Sequence, residues 1–175
     1  MAQAIEELLG DRISAGPIAV KYGHTAPLRL VRQVEAGHPV PDENSLLTAR
    51  EIAGLASGFD ARTLVINLIS GGGSALFDGL MTYQDGSEPV SLTLDELQRT
   101  TQVLLSCGAD IGEINIIRKH ISTVKGGRYI RLLSPATSIN FILSDVIGDR
   151  LDAIASGLTV PDTSTFQQAL GILEK

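Results

Sequence analysis

Apolar positions along the chain follow two rhythms. Residues 64–69 form an apolar run interrupted only by Asn67, and Val65, Ile66 and Ile69 are β-branched, so the run predicts a buried strand. Similar signals occur at residues 17–22 (PIAVKY) and 138–144 (SINFILS), with a weaker one at 30–35. Helical spacing fills the intervals. Residues 2–9 are stopped by Gly10, and residues 43–57 repeat Leu46, Leu47, Ala49, Ile52, Ala53 and Ala56 behind an N-cap at Asp42. Residues 93–106 align Leu94, Leu97, Thr101, Leu104 and Leu105, with Thr93 and Glu96 at capping-box spacing. Further helices are predicted from Asp110 or its neighbours to about residue 124, over 128–133 and over 163–173.

Two stretches break the rhythm. Residues 77–92 are polar and rich in turn residues, which predicts a surface excursion or a flap over the loop before them. Residues 145–162 read as a long loop with at most a short helical turn. Strands separated by helices predict an α/β fold, a mainly parallel Rossmann-like sheet with helices on both faces. No repeat or low-complexity linker interrupts it, so residues 1–175 read as a single domain.

Composition narrows the function. A net charge of −6 argues against nucleic acid or an anionic membrane as the main partner. No run approaches the roughly 18 consecutive apolar residues of a membrane span. The first ten residues are amphipathic and acidic, unlike a secretion signal. One cysteine, Cys107, excludes an internal disulfide and fits a reducing cytoplasm. Its neighbours Leu104, Leu105 and Gly108 predict a small core residue without a catalytic role.

The predicted central strand runs into Ser70, Gly71, Gly72, Gly73 and Ser74. Three consecutive glycines bring no side chains to a core and cost backbone entropy. They let the main chain approach a ligand and turn amide N–H groups toward one point, with a hydroxyl at each end. A strand, such a loop and a helix start make an anion site. A plain tight turn explains an isolated GGG equally well; the flanking serines and the strand favour a ligand.

In open α/β sheets ligands gather at the carboxyl ends of strands. The second such end is Ser144, Asp145, then Asp149 four residues on. If the two strands are neighbours, the glycine loop faces two carboxylates. Asp145 is placed to hold a metal or accept a proton, with Asp149 the weaker candidate, although a cap or turn role suits Asp145 as well.

Charge distribution adds an independent signal. Residues 114–144 contain no acid, yet hold Arg118, Lys119, Lys125, Arg128, Arg131 and His120. Cations gathered in one acid-free segment of an acidic protein suggest a bound anion, against the alternative of a solvated basic face. If residues 115–125 are helical, Asn115, Arg118, Lys119 and Ser122 share one side, with Lys125 continuing it. P-loop, dinucleotide, zinc and G-x-S-x-G signatures are all absent. His38, between Gly37 and Pro39, is a loop residue or a pocket contact.

Seven motifs in order then resemble the glycerate 2-kinase family. They are KYGH at 21–24, EAGHPVPD at 35–42, ISGGGSAL at 69–76, GADIGEINIIRKHIS at 108–122, KGGR at 125–128, SDVIGD at 144–149 and IASGLTVPD at 154–162. The resemblance covers nearly the whole chain. It implies transfer of the ATP γ-phosphoryl group to the 2-hydroxyl of D-glycerate, with Mg2+. It further implies a Rossmann-like N-terminal domain of which this chain is most, lacking a catalytic-lysine segment upstream and the C-terminal domain. The fragment alone is expected to be inactive or nearly so. Leu158 and Ile147 stand where the family often has proline.

On this reading Ser70, Gly71, Gly72, Gly73 and Ser74 cradle phosphate, and Arg118, Lys119 and Lys125 neutralise carboxylate or phosphate charge. Asn115 orients a substrate hydroxyl, His38 lines the pocket, and Asp145 holds Mg2+ or takes the hydroxyl proton, supported by Asp149. Expected partners are D-glycerate, the nucleotide and the missing domain; homo-oligomerisation is left open. Two rival readings are an NAD(P)H-dependent hydroxypyruvate reductase, disfavoured by the missing dinucleotide fingerprint, and a non-catalytic anion-binding fragment.

Overall fold

The computed structural model describes residues 1–86 and 88–175. The chain forms α1 (Ala2–Leu9), β1 (Pro17–Lys21), β2 (Arg32–Ala36), α2 (Glu43–Ala56), β3 (Leu64–Ser70), α3 (Gly73–Leu76) and the strands β4 (Thr82–Asp85) and β5 (Glu88–Ser91). There follow α4 (Leu94–Ser106), α5 (Ile111–Ile121), α6 (Arg128–Leu132), β6 (Thr137–Leu143) and α7 (Phe166–Leu173). Four helices open with capping boxes: Asp42 with Ser45, Thr93 with Glu96, Asp110 with Glu113, and Thr165 with Gln168. Each reciprocal pair satisfies backbone donors that a helix start leaves free, so polar residues in the sequence set these boundaries locally.

The expected α/β class with parallel strands is what forms. Among the described residues the parallel pairing is divided between two two-stranded sheets, β1–β2 and β3–β6. Alternate residues of β3 turn Asn67 and Ile69 into the interior. Asn67 is satisfied there: its amide donates to Asn140 Oδ1 (2.7 Å) across the strand pair, and its Oδ1 accepts from the Tyr129 hydroxyl. Burial pushes that phenol's pKa up, so it remains a neutral donor. Around this point Ala49 and Ala56 of α2, Ile69, Phe77, Val124, Tyr129, Leu133, Ile154 and Leu158 pack into one core.

Three expectations change. Residues 77–92 do not begin as a surface excursion, since Phe77 and Asp78 are buried; β4 and β5 then form an antiparallel hairpin. Ser87 of that stretch lies outside the described residues. The hairpin docks on the end of α5, where Tyr83 donates to the His120 carbonyl. Helix α5 ends at Ile121, because Ser122 turns extended (φ −116°, ψ 139°) and bridges to Leu80. Lys125 therefore leaves the helical face predicted for it. Cys107 caps α4 on the solvent side and is exposed, one turn beyond the buried Leu104.

Candidate active site

The parallel register of β3 and β6 pairs Ser70 with Leu143, so the two strands end side by side. Two residues past Leu143, the Asp145 side chain lies over the glycine loop. A Cβ at Gly71 would sit 1.9 Å from Asp145 Oδ2, so glycine there leaves the room that the carboxylate fills. Gly72 is left-handed (φ 79°), and a Cβ on it would meet His38 Nε2 at 3.0 Å. Gly73 faces Ala155, with 3.2 Å between a would-be Cβ and the alanine methyl. The loop is therefore approached at close range by the segment after β6, the segment after β2 and the turn Ile154–Ser156.

Positive charge also acts on His38. His38 is exposed overall, but loss of water on its inner face, with the charges of Lys21 and Arg118, holds its pKa below the usual value. Arg118 is partly buried, and that desolvation lowers its own pKa while the charge of Asp78 opposes the shift. Among the described residues Arg118 has no ion pair.

Lys119 and Lys125 are engaged with acids from outside the acid-free segment. Lys125 is fully buried; its Nζ lies 2.5 Å from Asp78 Oδ2 and donates to the Phe77 carbonyl at 3.3 Å. Ser122 donates to the other Asp78 oxygen at 2.6 Å. Burial pulls the Lys125 pKa down and Asp78 pushes it back up. Lys119, also buried, turns toward Asp162 (3.6 Å) and Asp152 (3.9 Å). Burial raises the Asp162 pKa, but hydrogen bonds from Ser164 and the Lys119 charge outweigh it and leave a net lowering. Arg128 donates to the carbonyls of Lys119 and Lys125, tying the two together.

Asn115 of α5 reaches the loop indirectly. Ser74 lies 2.7 Å from Ser156, and Ser156 donates to Asn115 at 2.9 Å. Asp145 and Asp149 are both exposed, and Asp149 has a left-handed backbone (φ 49°). No group of three or more His, Cys, Asp or Glu among the described residues is arranged to hold a metal. A cavity of about 700 Å³ lies behind the Gly126–Gly127 bend, lined by His120, Arg128, Arg131, Asp162 and Phe166; no glycine-loop residue lines it.

The structure thus gathers Ser70, Gly71, Gly72, Gly73, Ser74, His38 and Asp145 around one loop. Arg118 stands close enough for its charge to be felt, while Lys119 and Lys125 are committed to ion pairs. Sequence reasoning missed Lys21, Asp78, Ser156 and Asp162. Asp78 sat in a stretch read as surface, and Ser156 and Asp162 lie within the 154–162 motif without any local sign of their partners.

Residues 1–175 match the family described as Domain of unknown function (DUF4147). The chain is 46% identical to the D-glycerate 2-kinase of Thermotoga maritima, covering 100% of this chain and 40% of that protein. It is 45% identical to the glycerate 2-kinase of Pyrococcus horikoshii, over 99% of this chain and 37% of the relative. The crystal structure of the Thermotoga maritima glycerate kinase superposes with a TM-score of 0.86, over 99% of this chain and 40% of that one. The chain therefore spans about 40% of the length of the relatives it matches. No helix among the described residues is long and apolar enough to cross a membrane.

Proposed function

Because the chain belongs to the DUF4147 family over its whole length, we propose that it forms the substrate-binding half of a glycerate 2-kinase site. The reaction is transfer of the γ-phosphoryl group of Mg-ATP to the 2-hydroxyl of D-glycerate. Names of the relatives supply the reaction class; the observation that carries the local reading is the contact of Asp145 with Gly71 at the end of paired parallel strands. Phosphoryl transfer is chiefly positioning and charge neutralisation, and the loop brings both kinds of group together.

In this reading the backbone amides of residues 70–74 cradle phosphate oxygens, which glycine permits by leaving the backbone uncovered. Arg118 neutralises substrate charge, since its own charge is otherwise unpaired among the described residues. Lys119 and Lys125 act at one remove: their ion pairs fix α5 and the segment after α3. Asp145 accepts the hydroxyl proton or contributes to a magnesium site, with Asp149 in support. A single exposed carboxylate beside a phosphate cradle fits magnesium, which commonly takes one or two protein carboxylates and completes its shell with phosphate and water. When bound, the ion would neutralise charge on the transferring group.

The remaining length found in the relatives would close the site from the other side. The decisive assay couples Mg-ATP and D-glycerate turnover on this chain alone and on the chain joined to the C-terminal portion of the Thermotoga maritima relative. We expect turnover in the joined protein only, and a drop of about 10²–10⁴ in kcat on Asp145→Asn. Background turnover with ATP, alongside NADH oxidation in the presence of hydroxypyruvate, would replace the kinase by the reductase.

A further inference from the structure

A chain of buried hydrogen bonds runs from the glycine loop to α5. Ser74 Oγ lies 2.7 Å from Ser156 Oγ, Ser156 Oγ lies 2.9 Å from Asn115 Oδ1, and Asn115 Nδ2 lies 3.3 Å from the Ala153 carbonyl. All three side chains are buried, Ser156 completely. The direction of each proton follows from the last link. A carbonyl only accepts, so the Asn115 NH2 group faces Ala153 and its Oδ1 faces Ser156. Oδ1 also only accepts, so the single Ser156 proton goes there. The Ser74–Ser156 contact still needs a proton, and Ser74 must supply it.

Resting on the kinase reading of this loop, we infer that Ser74 donates inward to Ser156 and offers its ligand lone pairs instead of a proton. The group it meets is then a hydrogen-bond donor, a hydroxyl of the acceptor substrate, and not a phosphate oxygen. Phosphate is left to the backbone amides. Ser156 is the positioning residue that sets this polarity.

The backbone at Ser156 supports the assignment independently. Ala155, Ser156 and Gly157 are consecutively left-handed, with φ of 48°, 57° and 66°. Such a conformation strains an L-residue with a side chain and suits glycine. A glycine at 156 would relieve that strain, so the serine is there for its hydroxyl. Neighbouring backbone holds the turn in place: Gly126 donates to the Ser156 carbonyl (3.1 Å) and Gly127 to the Gly157 carbonyl (2.7 Å).

Two measurements test the inference. Neutron diffraction from deuterated crystals of the chain should place the Ser74 deuteron on the line to Ser156; a Ser156 deuteron pointing at Ser74 overturns it. Calorimetry on the joined protein should then compare D-glycerate with propionate, which lacks hydroxyls, in the parent and in Ser156→Gly, a variant that removes the hydroxyl while relaxing the backbone. We expect D-glycerate to weaken about tenfold and propionate to stay within about twofold. Ser74→Ala should reproduce that pattern. Equal weakening of both ligands indicates a merely structural serine, and a loss confined to magnesium affinity assigns the lone pairs to the ion; either result overturns the inference. A parent that fails to bind D-glycerate at all refutes the kinase reading instead, and the neutron result then decides the polarity alone.

Discussion

Lys125 and Asp78 meet at 2.5 Å in a place where the lysine has no exposed surface and the aspartate 2%. They are 47 positions apart, and the contact ties the end of the glycine-loop segment to the bend that follows α5. Ser122 and the Phe77 carbonyl complete the hydrogen bonding of the pair. Such a pair adds modest net stability over an apolar replacement, but removing one partner strands a buried charge.

Asp78→Ala should therefore cost about 3–5 kcal/mol, read as a fall in the urea midpoint at unchanged m-value. The double replacement Asp78→Leu with Lys125→Met should recover most of that loss. A single mutant within about 1 kcal/mol of the parent would show that Lys125 reaches water or another acid.

Gly71→Ala should fold and yet impair the site. Its new methyl needs space that Asp145 Oδ2 occupies, and Asp145 can swing aside because it is an exposed side chain at a strand end. Displacing a reacting group by an ångström costs on the order of 10²-fold in rate. A preserved circular dichroism spectrum with unchanged kcat in the joined protein would mean that Asp145 need not sit at the loop.

Histidine NMR should find His38 titrating below 6.5, with Lys21→Ala raising its pKa. A depressed histidine binds fewer protons folded than unfolded. Its contribution to stability is therefore complete above 6.5 and is lost as pH falls through the folded value. Phosphate binding should move the opposite way, strengthening over that same interval as the imidazole beside Gly72 gains charge. Titration at or above 6.5 would separate His38 from the two cations.

Helix α1 buries no residue and is held by a carboxylate: Glu6 accepts from the backbone N–H groups of Arg29 (2.9 Å), Leu30 (2.7 Å) and Val31 (2.6 Å). Those bonds, Arg29 foremost, lower the Glu6 pKa below 4.5. Attachment is complete above 4.5 and is lost as pH falls through the folded value. Glu6→Gln should speed amide exchange over residues 2–9 at neutral pH without changing exchange in β3. Equal protection in both proteins would put the anchor elsewhere.

Much of this arrangement is legible because its causes are local. The β-branched run ending at Ile69 and the glycines after it need no distant partner to announce a strand and an open loop. Thr93 with Glu96, or Asp42 before α2, mark helix starts through hydrogen bonds spanning three residues. The seven ordered motifs likewise placed the chain beside the glycerate kinases.

Long-range pairing is different, since it depends on where the folded backbone delivers each side chain. An acid-free segment rich in lysine and arginine suggested an anion site, but Asp78, Asp152 and Asp162 come from outside it to claim Lys125 and Lys119. Only Arg118, among the three cations singled out there, keeps its charge unpaired among the described residues. Likewise, nothing near Ser156 in the chain signals a left-handed serine joining Ser74 to Asn115. The sequence by itself determined the elements and the chemistry available to them. Only the tertiary structure decided which charges are neutralised and which way a buried proton points, because both follow from distances across the fold and not from neighbours along the chain.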